Sequence, residues 1–270
     1  MKKLFFALIF LLTVTTSYSQ LVISPYIVFL DAKNKYGTYT VYNETDETKE
    51  VTISFKFAYP VSDADGNITM FYDTTNNSRS IADWVKAFPR KFTMSPRGKQ
   101  IIRMTVDPPA GMNQGTYWTR IVTTSSSLKS VTDSTTGISA KINFFFNQVT
   151  TAIYRNQRYD NKLEFRNLTT NTDTANVNII AGFGASGDQP FFSKIEYKIY
   201  DSNNKAVIEN MEYVAVYYDI LKKFSFRLDG FKPGKYTAEM TISSENSSDV
   251  PKTDKGLIQP ITKKVDFVIQ

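Results

Sequence analysis

The segment from Trp84 to Val106, WVKAFPRKFTMSPRGKQIIRMTV, constrains the chain most. Phe92 and Met94 stand two residues apart, and Ser95-Pro96-Arg97-Gly98 follows as a turn. Proline there fixes φ, and glycine is free to take positive φ. Ile101, Ile102, Met104 and Val106 then resume an apolar run that ends at Asp107-Pro108-Pro109. This pattern predicts strand, turn and strand as one hairpin of an antiparallel sheet. Val51 to Tyr59 gives the clearest half-buried strand. Val51, Ile53, Phe55 and Phe57 alternate with Thr52, Ser54 and Lys56.

The same alternation runs through the rest of the first half. Residues 21–30 read as a strand broken by Pro25, which belongs at an edge or where a strand crosses between sheets. Tyr36 to Tyr42 and Gly115 to Thr124 are further strands, and Ile81 to Trp84 fits one helical turn. Ser125 to Gly137 reads as a loop. Ile138 to Tyr154 is then expected as one long apolar strand, with Ile142, Phe144 and Phe146 on one face and Phe145 turned into the core. In the second half, Leu163 to Phe165, Val177 to Phe183, Ile195 to Tyr200, Val207 to Tyr218, Lys223 to Leu228 and Val265 to Ile269 read as strands. Asn167 to Asn176 reads as a loop. Pro233-Gly234 delivers Tyr236 to a strand start, as in a tyrosine corner. With 270 residues and 14% aromatics, the expectation is an all-β chain: two immunoglobulin-like β-sandwich domains in tandem. They span 20–155 and 156–270, and residues 155–160 connect them.

Residues 1–19 have the form of a signal peptide, with Lys2 and Lys3, an apolar run from Leu4 to Val14, and small residues at Ser17 and Ser19. Export without membrane insertion is expected. The mature chain keeps 30 basic and 26 acidic side chains, a net charge of +4, and has no run of five like charges. Nucleic acid is therefore not an expected partner. Cysteine and histidine are both absent. That removes Cys–His and Ser-His-Asp catalysis and His-ligated zinc, so no enzyme activity, metal or other cofactor is expected. Gly182-x-Gly184-x-x-Gly187 matches a dinucleotide fingerprint only in spacing, because strand-like sequence follows where a helix is required. Asp63-Ala64-Asp65-Gly66-Asn67 is half a calcium loop without its closing glutamate.

Phe92-x-Met94-x-Pro96-x-Gly98-x-Gln100-x-x-Arg103, with Trp84 and Pro89 upstream, resembles the middle of the first domain of periplasmic pilus chaperones of the PapD type. The resemblance covers residues 21–155 and fades beyond them. It implies a non-catalytic periplasmic chaperone or assembly factor. Such a protein holds a secreted pilin-like or surface-protein subunit by lending it an edge strand. Aligned on Tyr154-Arg155, the donor side chains fall on Ile142, Phe144 and Phe146. The other reading of these three is plain core, since an apolar edge is normally blunted. A free apolar edge would also allow self-association. The family pairs two cations that bind the subunit's terminal carboxylate between the domains. Here they fall near Ser24 or Pro25 and at about Thr151, and none of these is basic. Arg155 and Arg158 lie nearby as candidate cleft contacts. The alternative function is a structural or adhesive envelope protein, periplasmic or on the outer surface.

Overall fold

The computed structural model describes residues 21–75, 77–127, 131–133, 140–142, 144–157, 161–187, 190–244, 250 and 258–270. The expected signal peptide lies outside them.

The first sandwich packs two sheets. One has the order β1 (Leu21–Ser24), β3 (Tyr36–Asn43), β9 (Lys99–Val106), β7 (Val85–Phe88). The other has the order β2 (Ile27–Asp31), β13 (Phe145–Asn156), β10 (Gly115–Ser127), β4 (Lys49–Lys56), β8 (Lys91–Met94). Inward positions at period two fill the space between them: Tyr39 and Val41 from β3, Val51 and Ile53 from β4, Ile102 and Met104 from β9, Ile121 from β10. The chain does cross between sheets at Pro25. β1 pairs antiparallel with β3, and β2 pairs parallel with β13.

The expected hairpin around Pro96 is not one. β8 pairs with β4 in one sheet, whereas β9 pairs with β3 and β7 in the other. Met94 and Met104 are both buried and meet the core from opposite sides, so the turn between them bridges the sandwich instead of linking neighbours. Arg97, not Gly98, takes the positive φ, at 56°. Its guanidinium holds the Asp46 carboxylate at 2.9 and 3.1 Å, and Asn43 Nδ2 donates to the Ser95 carbonyl at 2.9 Å. Side chains from a neighbouring loop thus fix a turn that glycine was expected to permit. Ile81 does start a single helical turn, with the Val85 N–H donating to its carbonyl at 3.1 Å.

The second sandwich packs β14 (Asn161–Thr172), β15 (Asn176–Gly187) and β18 (Ile220–Arg227) on the sheet β17 (Ala206–Val216), β16 (Phe191–Asp201), β19 (Gly234–Ser244), β20 (Ile261–Ile269). Its core holds Phe183, Phe191, Ile195, Ile199 and Ile242. The tyrosine corner forms: Tyr236 Oη donates to the Lys232 carbonyl at 2.8 Å. The segment expected as a loop from Asn167 stays in β14 as far as Thr172. The glycine motif lies inside β15, where a Cβ at Gly182 would fall 1.9 Å from Asn167 Oδ1 and one at Gly184 would fall 2.5 Å from the Arg166 guanidinium. Those glycines serve close side-chain approach across a bulged strand pair.

The turn joining β14 and β15 is tied by Asp173. Its carboxylate accepts from Asn178 Nδ2 at 3.0 Å and from the Ala175 and Asn176 N–H groups at 2.8 Å each. These donors, Asn178 first, hold its pKa down to about 2. The depressed carboxylate adds stability above its unfolded pKa of about 4, and that stability is lost as pH falls through the folded value. In urea titrations from pH 5 to pH 2, Asp173→Ala is therefore expected to lose less stability than the unaltered chain. Equal slopes would remove this role.

Candidate partner-strand interface

The site is built on β13. Along this strand, Thr150, Ala152 and Tyr154 face the sandwich core, while Val149, Thr151, Ile153 and Arg155 take the outer face, as the period of two requires. One side of β13 pairs with β10 over its whole length, Phe145 to Asn156. The other side pairs with β2 only from Thr151 to Arg155. The Thr151 N–H, bonded to the Tyr26 carbonyl at 3.0 Å, marks where that pairing begins. The same period points the N–H and C=O groups of Phe145, Asn147 and Val149 to that side. Among the described residues no strand pairs with them there.

The long apolar strand expected from Ile138 is therefore two strands. Ile142 ends β12 (Ala140–Ile142), which pairs with β11 (Val131–Asp133), and its side chain is not among those described. Phe144 and Phe146 have the core-facing parity, yet they are 62% and 42% exposed, with ring centroids 6.5 Å apart. They extend the inward row beyond the end of the facing sheet. Gln148 closes that row, with Nε2 donating to the Leu21 carbonyl at 2.6 Å. Phe145 does not enter the core: it has outer-face parity and is 65% exposed. The result is an open strand edge carrying three exposed phenylalanines.

The open edge runs toward the seam between the sandwiches. Trp118 is fully buried there, 5.2 Å from the Phe57 ring and 5.1 Å from the Tyr217 ring. Phe29 meets Phe192 at 5.9 Å, and Tyr59 meets Tyr218 at 4.7 Å. Phe57 thus leaves the core row of β4, on which alternation places it, to join this seam. The hairpin of β5 (Ala58–Ser62) and β6 (Ile68–Tyr72) clasps the second sandwich. Ser62 Oγ accepts from the Leu221 N–H at 2.8 Å, and the Gly66 carbonyl accepts from the Lys223 N–H at 2.9 Å. Gly66 has φ 79°, and a Cβ there would meet the Lys223 nitrogen at 2.9 Å, so only glycine permits this approach. The half calcium loop is the tip of this hairpin, where Asp63 accepts from Asp65 and Asn67 N–H groups.

Sequence reasoning missed Arg120. It lies on β10 between Lys56 and Thr151 in adjacent strands and is 8% exposed. Its Nε donates to the Ala58 carbonyl at 3.1 Å and its Nη1 to Thr151 Oγ1 at 2.5 Å. Its guanidinium carbon sits 4.7 Å from the Tyr217 ring centroid. No carboxylate among the described residues pairs with it. Alternation did mark β10 as a strand, but no local signal distinguished a buried arginine from a solvated one. Arg155 is also buried. It donates to Thr116 Oγ1 at 3.2 Å and lines a cavity of about 480 Å³ with Asp31, Lys33 and Gln157. Arg158 lies outside the described residues.

No family model matches the chain, and no curated protein matches it. Solved structures similar to it include the YadV chaperone, at 9% identity over 92% of this chain and 100% of that one, TM-score 0.43. The Salmonella enterica complex of SafA pilin with the SafB chaperone gives 12% identity over 93% and 98%, TM-score 0.43. The Acinetobacter baumannii pre-assembly complex of the CsuC chaperone with the CsuE tip subunit gives 10% identity over 77% and 91%, TM-score 0.40.

Proposed function

We propose that this protein is a non-catalytic periplasmic chaperone or assembly factor that holds an exported, pilin-like subunit by strand pairing along β13. The observation that carries this reading is the open edge at Phe145 to Val149. Its backbone groups have no strand beside them among the described residues, and Phe144 and Phe146 stand exposed on it. The sequence resemblance around Pro96 supports the same reading. A strand added here gains main-chain hydrogen bonds from the edge and specificity from the alternating side chains. It must stop at Thr151, whose N–H is already taken by Tyr26.

That stopping point lies beside Arg120. An added strand running parallel to β13 ends with its terminal carboxylate at this guanidinium. Arg120 thereby takes the part that the resemblance assigns to a cation at Thr151, to which it is hydrogen-bonded. A buried arginine held only by neutral acceptors suits an anionic group. The test is co-purification of tagged protein with exported proteins from its own cell envelope. One subunit recovered in near-equal amount is expected. Arg120→Gln keeps a polar side chain and removes the charge, and it is expected to weaken capture of that subunit at least about 10-fold, as loss of a charge-assisted bond does. Capture unaffected by Arg120→Gln would remove this anchoring role and leave the edge pairing standing.

A further inference from the structure

Among the described residues, no strand covers the outer face of the four-stranded sheet of the first sandwich, a surface different in chemistry from the β13 edge. Its inner positions are core, and its outer positions face solvent. Four large apolar side chains stand on the outer face: Tyr36 at 70% exposure, Tyr42 at 38%, Phe88 at 74% and Ile101 at 51%. Three exposed cations are interleaved with them. Lys99 is directly across from Tyr42, Arg103 lies across from Phe88, and Lys86 lies across from Thr105. The remaining outward positions are Val22, Ser24, Thr38, Thr40 and Thr105, so the face carries no acid on its strands.

The contrast with the second sandwich is informative. There three strand lysines are matched, Lys198 with Glu209 at 2.6 Å, Lys222 with Glu212 at 2.9 Å and Lys264 with Glu239 at 2.6 Å, while Lys235 on β19 stands exposed without a carboxylate among the described residues. No carboxylate among the described residues pairs with Lys86, Lys99 or Arg103. Solubility accounts for cations on a sheet, and a lysine on edge strand β7 guards against unwanted pairing. Neither accounts for leaving Phe88 and Tyr36 out in water beside them.

The size of the face narrows the partner. Four strands side by side cover about 19 Å and the eight residues of β9 about 26 Å, giving about 500 Å². A stable protein interface needs about 800 Å² on each side. A small flat area of one charge sign, with single aromatic side chains standing out of it, suits a surface that presents many phosphates at once. Lysine and arginine near such a surface are attracted to it, and phenylalanine and tyrosine settle at the headgroup level. We infer that the outer face of the β1-β3-β9-β7 sheet docks the protein reversibly on an anionic phospholipid surface. This inference does not depend on the strand-pairing reading.

The experiment is sedimentation of the purified protein with vesicles of phosphatidylcholine alone, or of phosphatidylcholine with about one-third phosphatidylglycerol. Binding to the anionic vesicles only, falling with added salt, is expected. Lys86→Glu with Lys99→Glu and Arg103→Glu is expected to lower the partition coefficient about 100-fold. Tyr36→Ser with Phe88→Ser is expected to lower it while the salt dependence persists. A control reverses three exposed lysines of the second sandwich, Lys205, Lys232 and Lys235, and should bind almost as the unaltered chain does. If the glutamate variant fails to fold, the three glutamine substitutions replace it. Equal binding to neutral vesicles, no binding, or equal loss in the control would each overturn the inference. So would retention of polyglutamate with no retention of vesicles, which would assign the face to an acidic polypeptide.

Discussion

Replacing Phe144 and Phe146 together by threonine is expected to leave the protein folded and to abolish capture of its subunit. The rings are 62% and 42% exposed and belong to none of the buried core clusters, so the fold loses little when they go. Threonine keeps the strand preference of the segment and its backbone pairing with β10. In a complex the two rings would be buried against the partner. Each then contributes about 1.5–3 kcal/mol, so removing both weakens binding by a factor of about 100 or more. The measurement is the ratio of subunit to tagged protein after co-purification, beside a melting curve of the variant. A melting temperature within a few degrees of the unaltered chain and a lost subunit would support strand lending. Undiminished capture by a folded variant would refute it. A variant that unfolds would mean that the two rings support the sandwich, and the exposed edge would then need another explanation.

Much of the fold was legible in the sequence because strands write their burial at period two. The alternation of Val51, Ile53 and Phe55, the crossing at Pro25 and the corner at Tyr236 all appear where spacing and turn chemistry put them. What failed was pairing. Phe92-x-Met94 and Ile102-x-Met104 look like two arms of a hairpin because both are apolar at period two around a proline turn. Yet period records only which side of a strand meets the core. It does not record which sheet the strand joins, and β8 and β9 face one core from opposite sheets. Phe145 failed for a related reason. Its parity is opposite to that of Ala152, and the core had ended before the strand did. The site was half legible. The exposed phenylalanines follow from a resemblance anchored at Tyr154. Arg120 depends on the distant Ala58, Thr151 and Tyr217, and no short window contains them.

Trp118 is where the two sandwiches depend on each other most, and Trp118→Ala is expected to have the largest effect on stability. Its ring is fully buried and contacts Phe57 from its own sandwich and Tyr217 and Tyr218 from the other. Its Nε1 donates to the Ala58 carbonyl at 3.1 Å, the same oxygen that accepts from Arg120. Removing the indole opens a cavity at the seam and costs about 3–5 kcal/mol, a fall in melting temperature of about 10 °C for a chain of this size. The loss falls on the interface as well as on the first sandwich, so the two halves should also uncouple. Calorimetry of the unaltered protein is expected to show one transition and that of Trp118→Ala two, the second sandwich melting on its own core of Phe183, Phe191 and Ile195. Two transitions already present in the unaltered protein, or one unshifted transition in the variant, would show that the seam does not join the domains energetically. In that case the contact of Arg120 with Tyr217 across the same seam would add little, and its hydrogen bonds to Ala58 and Thr151 within its own sandwich would alone hold the guanidinium.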